Sequence, residues 1–213
     1  MRLACLFLFF LLPMLGGTFL EAHELSGYLS SEWRFFTESS PLSEHSREAW
    51  AGSAELEYYH AWNGASDSLT VTPFISYDAE DGERRHWDLR EVYWLHVGSD
   101  WEFSVGLRKV FWGVAESIHL VDIINQTDLV EGFDGEEKLG QPMLNFSWIK
   151  DWGLLDIYLM PYFRERTFAG AKGRLRQSKV VDTDRVVYES SDKEKHWDWA
   201  FRWEQVIGAW DIG

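Results

Sequence analysis

Two segments of the chain carry charges of opposite sign, a pattern that can select ions. Segment 113–141 carries Glu116, Asp122, Asp128, Glu131, Asp134, Glu136 and Glu137 against Lys138. Segment 164–179 carries Arg164, Arg166, Lys172, Arg174, Arg176 and Lys179 against Glu165. Clusters of charge beside an aqueous path select the ions that pass. Two alternatives stay open: both segments are solvated surfaces, or they pair with each other, where each exposed pair contributes about 0–1 kcal/mol.

Two histidines stand two residues before an aspartate, at His86 and Asp88 and at His196 and Asp198. On an extended strand such a pair shares one face, and the carboxylate can orient the imidazole as a general base. The chain shows no G-x-S-x-G element, no glycine-rich phosphate loop and no metal-ligand spacing. We therefore predict no enzyme, no cofactor and no metal site, and keep a hydrolase with His and Asp at its rim as an alternative.

Composition narrows the class of protein. The 213 residues include 16% aromatics and 13 Trp, and the formal net charge is -15. Tryptophan is enriched where one side of the ring meets hydrocarbon and the other meets water. Nucleic-acid binding needs a basic footprint, so the acidic balance argues against a nucleic-acid partner.

The N-terminus has the pattern of a secretory signal peptide. Arg2 precedes the apolar run 3–12, Pro13 interrupts that run, and Ala22 is a plausible cleavage position. The apolar run is too short to span a bilayer comfortably, and no apolar stretch of about 20 residues follows it. We predict that residues 1–22 are a cleaved signal peptide and that residues 23–213 form either a membrane barrel or a soluble secreted β-barrel binding protein.

The elements that carry the charges alternate apolar and polar residues with a period of two. In segment 101–108, Trp101, Phe103, Val105 and Leu107 oppose Glu102, Ser104, Gly106 and Arg108. Similar segments cover 25–36, 49–62, 68–77, 86–97, 142–150, 154–163 and 196–204. Membrane strands need about 9–11 residues, whereas ordinary strands average about 5–6. The length of these segments favours a membrane sheet.

The connections alternate between long and short along the whole chain. The long ones are 37–48, 79–85, 113–141 and 165–195, and the short ones are 63–67, 98–100, 151–153 and a turn near Gly208. Outer-membrane barrels have short turns on one side and long loops on the other. The predicted fold is an all-β, antiparallel transmembrane β-barrel with at least eight strands. Trp210–Gly213 would begin a ninth strand, and an even strand count would then make this a partial chain of a larger barrel.

One stretch resembles uncharacterised porin-like outer-membrane families, in which a strand ends in W-G and an N-x-x-D element follows. The residues that carry the resemblance are Gly106, Arg108, Lys109, Trp112, Gly113, Glu116, Asp122, Asn125 and Asp128. This chain has Asn125-Gln126 where that pattern usually has Asn-Pro. The resemblance implies a pore of unassigned substrate and no known catalytic residue.

These patterns predict a porin-like protein of the Gram-negative outer membrane that passes or takes up small solutes through a polar lumen. The apolar residues of segment 113–141 predict that it folds inward and narrows the lumen; the alternative is an ordinary packed surface loop. Candidates for the lumen and its constriction are Arg108, Glu116, Asp122, Asn125, Asp128, Arg164, Arg166 and Arg202. The expected partners are outer-membrane lipids and a small solute. The sequence does not indicate the oligomeric state.

Overall fold

The computed structural model describes residues 22–40, 45–112, 122–132 and 134–213. Except for Ala22, the expected signal peptide lies outside these ranges. Within them, no helix has the length and apolar character needed to cross a membrane.

Eleven strands and three short 3-10 turns make up the described chain. The strands are β1 (Ala22–Phe35), β2 (Glu48–Trp62), β3 (Asp67–Asp78), β4 (His86–Val97), β5 (Trp101–Arg108), β6 (Asp128–Leu129), β7 (Gln141–Lys150), β8 (Gly153–Met160), β9 (Thr167–Phe168), β10 (Asp198–Ile207) and β11 (Trp210–Ile212). The 3-10 turns are Asn63–Ala65, Thr183–Arg185 and Lys193–Lys195.

Nine of the strands form one antiparallel sheet in chain order, β1-β2-β3-β4-β5-β7-β8-β10-β11. The all-β antiparallel prediction is therefore confirmed, and so is the short strand at Trp210. The two-residue strands β6 and β9 pair with each other in parallel. Within the described ranges β1 and β11 are the edges of the large sheet, so closure into a barrel stays a prediction.

The long and short connections lie at opposite ends of the sheet. Because neighbouring strands run antiparallel, alternate connections fall at the same end. Segments 36–47, 79–85, 109–140 and 161–197 lie at one end, called here the loop end. Segments 63–66, 98–100, 151–152 and 208–209 lie at the other, called the turn end. The alternation of long and short connections seen in the sequence thus corresponds to the two ends of the sheet.

The two faces of the sheet reverse the pattern of a soluble protein. In β3, Thr70, Thr72 and Ser76 are 5–7% exposed, whereas Ile75 and Tyr77 are 57% and 47% exposed. Soluble proteins cover their large apolar side chains and expose their polar ones. We call the covered, polar face the inner face and the exposed, apolar face the outer face.

A β-bulge decides which way the middle of β4 faces. Thr72 pairs with Glu91, but the next residue of β3, Pro73, pairs with Leu89, so Arg90 is the extra residue. A bulge places an additional residue on one strand and changes the alternation locally. In the sequence, this bulge is visible as the interruption of the apolar–polar alternation at Glu91.

Two strands end earlier than the alternation predicts. β5 ends at Arg108 because the backbone N–H of Lys109 donates to Glu91 Oε1 and that of Val110 donates to Asn125 Oδ1, at 2.9 Å each. The side chains of Glu91 and Asn125 thus accept the hydrogen bonds that the backbone of a neighbouring strand would otherwise accept. β8 ends at Met160 because Pro161 has no N–H to donate.

The small apolar core lies on the inner face, beneath the 109–140 connection. Ile124 from that connection packs with Met143, Tyr158 and Met160 of β7 and β8. Trp112, the last residue before the predicted 113–141 connection, turns inward, and its ring centroid lies 5.4 Å from that of Tyr158. The Trp112 indole packs against this apolar core, which explains its inward orientation. The neighbouring Phe111 is 58% exposed.

Candidate functional site

The inner faces of β5, β7, β8 and β10 bring a row of polar side chains into register. Glu102 pairs with Ser147, Ser147 with Asp156, and Asp156 with Arg202. The Ser147 hydroxyl donates to Asp156 Oδ1, and Arg202 Nη2 lies 2.6 Å from Glu204 Oε2. A wall of this kind presents hydrogen-bonding groups and charge to whatever occupies the space beside it.

Arg108 lies on the same inner face, six residues beyond Glu102 along β5 towards the loop end. Its Nη1 donates to Ser104 Oγ at 3.0 Å and to Asn145 Oδ1 at 3.2 Å. Its guanidinium lies over the Tyr93 ring at 5.0 Å from the centroid. Arg108 is thus fixed by neutral groups, and its positive charge has no carboxylate in direct contact in the described chain.

Arg90, at the bulge, connects the sheet to the covering segment. Its Nε lies 3.1 Å from Glu55 Oε2 and its Nη1 lies 3.2 Å from Glu137 Oε2. The guanidinium also stacks over the Phe74 ring at 3.9 Å. A cation with a 5% exposed side chain is stable only where carboxylates compensate it.

Asn125 fastens segment 109–140 to the sheet. Its Oδ1 accepts from Val110 N–H at 2.9 Å, and its Nδ2 donates to the carbonyls of Arg108 and Leu139 at 2.9 and 2.8 Å. Only 3% of Asn125 is exposed. One amide therefore satisfies three backbone groups where β5 ends and β7 is about to begin.

Asp128 links the two longest loops to each other. Its Oδ1 accepts from Thr167 Oγ1 at 2.6 Å and from the backbone N–H of Val130 and Glu131 at 3.2 and 3.3 Å. The pairing of β6 with β9 runs through the same residues. The N-x-x-D element thus holds two buried side chains that organise backbone.

Two further acidic residues of this segment, Asp122 and Glu131, contact cationic side chains or histidine. Asp122 Oδ2 lies 3.3 Å from Lys138 Nζ, and Asp122 Oδ1 accepts from Trp112 N–H at 3.3 Å. Glu131 lies 3.8 Å from Arg84 and 3.7 Å from His86. The acidic segment therefore does not pair with the basic segment in any ion pair that the described residues show.

A second buried carboxylate cluster joins the shorter loops. Asp78 Oδ2 lies 3.1 Å from Arg34 Nη2 and 3.4 Å from Arg84 Nε, while its Oδ1 accepts from the N–H groups of Glu80 and Asp81. Only 1% of Asp78 is exposed. The ends of β1, β3 and β4 are thereby held together at the loop end.

The carboxylate of Asp81 binds the backbone of the 161–197 connection. Gly170 N–H donates to both of its carboxylate oxygens at 3.1 Å. A Cβ added at Gly170 or Gly173 would meet these oxygens at 2.5 and 2.2 Å, so a larger residue at either position would displace the Asp81 carboxylate. Arg174 then stacks over the Phe36 ring at 4.0 Å and donates to the Glu38 carbonyl at 2.6 Å.

The basic residues at the start of this connection differ in their surroundings. Arg164 Nη2 lies 2.5 Å from Asp88 Oδ1, and its Nη1 donates to the Gly140 carbonyl at 3.2 Å. Arg166 is exposed. Glu116 and Gly113 lie outside the described residues, so the sequence predictions for them stay as they are.

The two histidine pairs are not arranged alike. Asp88 contacts Arg164, and His86 contacts Glu131 and the Glu83 carbonyl. His196 Nε2 lies 3.6 Å from Asp198 Oδ1, with both side chains about half exposed. The described contacts of the two histidines include no hydroxyl or thiol nucleophile, and the described chain holds no group of three metal-ligating side chains.

Sequence reasoning missed Asp78 and Asp81 as organising residues. The run Asp78-Ala-Glu-Asp81-Gly does carry a signal, because aspartates and glycine in a short connection cap backbone N–H groups. The partner at Gly170 is 89 residues further along the chain, and no local pattern indicates it.

Comparison with known proteins adds no relative to this picture: no family model, no curated protein and no solved structure matches the chain.

Proposed function

We propose that this chain is a porin-like β-strand protein of the outer membrane that passes or takes up small solutes. The observation that carries the proposal is the reversed sheet, with polar side chains on the covered face and large apolar side chains on the exposed face. In a membrane barrel the outward band meets lipid and the interior is polar, which gives this arrangement. Water would make the same surface costly, at about 25 cal/mol per Å² of apolar area.

The types of side chain on the outer face also change along the strands, in the way expected for a surface that crosses a bilayer. Aliphatic side chains occupy the middle, for example Leu56 in β2 and Ile157 in β8, which are 44% and 46% exposed. Exposed tryptophans stand near both ends: Trp33, Trp50, Trp87 and Trp199 towards the loop end, and Trp148, Trp152, Trp203 and Trp210 towards the turn end. Tryptophan prefers the two interfaces, and aliphatic side chains prefer the hydrocarbon between them.

The inner face supports a water-filled path narrowed by a loop. Ile124 packs on the inner side of β7 and β8, and its neighbour Asn125 binds the carbonyls of Arg108 and Leu139 at the two ends of segment 109–140. A loop seated there reduces the cross-section and places its remaining carboxylates beside the polar wall. The expected signal peptide and the aromatic bands together make the outer membrane of a Gram-negative cell the proposed location, with its lipids as partners.

The test combines lipid contact with conductance. Spin labels at Phe103 and Phe201, both outward-facing, should be reached by lipid-soluble quenchers in native vesicles, while a label at Glu189 in the 161–197 connection should not. Planar-bilayer recordings of the full-length product should then show conductance. Labels that lipid-soluble quenchers do not reach, or recovery of the protein in the periplasmic supernatant, would favour the soluble secreted binding protein instead.

A further inference from the structure

The inner face carries more carboxylates than guanidiniums, and most of its guanidiniums are already neutralised. Arg34 contacts Glu32 and Asp78, Arg90 contacts Glu55 and Glu137, and Arg202 contacts Glu204. Within the described ranges, Arg108 is the one of these inner arginines whose hydrogen-bond partners are neutral groups, Ser104 and Asn145.

Several inner carboxylates have no such compensation within the described chain. Glu57 is exposed on the inner face of β2, and Glu102 is half-buried on the inner face of β5, and neither makes an ion pair or a hydrogen bond there. Asp156 accepts only from the Ser147 hydroxyl. The uncompensated charge beside the path is therefore negative, even with Arg108 included.

A second observation, independent of the charge, concerns the hydroxyl of Thr72. Thr72 is 5% exposed and its Oγ1 is buried without a hydrogen-bond partner in the described residues. Its Cα partner on β4 is Glu91, whose Oε1 also accepts from the Lys109 N–H, and continuing the register between Glu55–Phe74 and Tyr58–Val71 places Glu57 opposite Thr72 on β2. A buried hydroxyl without a partner costs about 1–3 kcal/mol, so an oxygen-binding ligand there would be favoured.

We infer that the path prefers cations to anions, and that the row formed by Glu57, Thr72 and Glu91 is a place where a monovalent cation or an ammonium group is held in passage. The inference rests on the proposed function and names its solute class. Carboxylates lining a pore favour cations. Hydroxyl and carboxylate oxygens are ligands for hard cations.

The test measures reversal potential across a planar bilayer under a KCl gradient, with the full-length protein. The permeability ratio of K⁺ to Cl⁻ should exceed one and should fall at least about twofold when Glu57→Gln and Glu102→Gln are combined. The matched control is Glu48→Gln, which removes a carboxylate from the outer face of the same strand β2 and should leave the ratio unchanged. Conductance with a ratio below one, or a ratio unmoved by the double variant, overturns the inference and leaves the proposed function standing.

Thr72→Val tests the row separately, because it removes the hydroxyl while keeping the shape of the side chain. The ratio should fall in the same direction as with Glu57→Gln alone, and an unchanged ratio removes Thr72 from the site. Far-UV circular dichroism verifies that each variant has the same strand content. A silent bilayer from inserted wild-type protein overturns the proposed function, and this inference with it.

Discussion

The side-chain amide of Asn125 donates to the backbone carbonyl of Arg108 at 2.9 Å, at the residue where β5 ends. This contact turns the chain out of the sheet and into the covering segment. It explains why a strand with clean alternation continues into a long segment that still carries apolar residues: the segment is seated on the inner face.

Asn125→Ala should loosen this segment. Three backbone hydrogen bonds are lost, each contributing about 0.5–1.5 kcal/mol, so we expect a loss of about 2–4 kcal/mol in local stability. Hydrogen exchange at Val110 and Leu139 measures it. Gln126→Ala, next to it, removes a side chain without such contacts and should change little. Equal exchange in the two variants would contradict the role given to Asn125.

Gly173→Ala should displace the 161–197 connection from Asp81. The new Cβ would stand 2.2 Å from Asp81 Oδ2, whereas the Cβ of Gly82→Ala would have no atom within 4 Å. Trypsin should then cut faster after Arg174 and Arg176 in Gly173→Ala, and at the wild-type rate in Gly82→Ala. Unchanged cutting in Gly173→Ala would show that Asp81 does not hold this connection.

The two ion pairs of Arg90 should differ in strength. Glu55 is 26% exposed and Glu137 is 50% exposed, so solvent screens the second pair more. A double-mutant cycle using Arg90→Met with Glu55→Gln or with Glu137→Gln should give the larger coupling free energy for Glu55, and about 0–1 kcal/mol for Glu137. Denaturant unfolding in lipid vesicles measures both. A stronger coupling to Glu137 would mean that the covering segment, rather than β2, is the main partner.

Charge on the outer face should be costly only in the middle of a strand. Ile157→Arg in β8 should lower the unfolding free energy in a bilayer by about 2–4 kcal/mol, and Ile207→Arg at the end of β10 by about 0–1 kcal/mol. The two isoleucines are 46% and 51% exposed, so in a soluble protein both changes would be mild. Folded fractions in vesicles at increasing urea concentration distinguish the cases, and equal effects would contradict lipid contact at Ile157.

Some features of the fold follow from the sequence because their causes are local. Side chains of an extended strand alternate between faces, so the alternation from Trp101 predicted β5, although its end at Arg108 comes before the predicted connection at 113. The lengths of the connections predicted two ends of the sheet, since antiparallel order sorts alternate connections. Pro161 carries its own strand-ending signal, which the apolar alternation through Phe163 obscured.

Which residues meet in the candidate site depends on contacts between distant parts of the chain. The carboxylates of segment 113–141 have distant partners: those of Asp128, Glu131 and Glu137 lie on β9, on the β3–β4 connection and on β4. The same holds for Trp112, whose apolar partner Tyr158 lies on β8. No pattern within one segment can reveal these pairings.

The sequence by itself determined the strands, their order of long and short connections, and which residues share a face, because period-two geometry and turn chemistry act between near neighbours. Only the tertiary structure decided which face is covered, where the bulge at Arg90 shifts the register, and which buried carboxylates hold the loops together. The physical reason is that a buried charge or amide is stable only with a specific partner, and that partner is chosen by how the loops fold over the sheet.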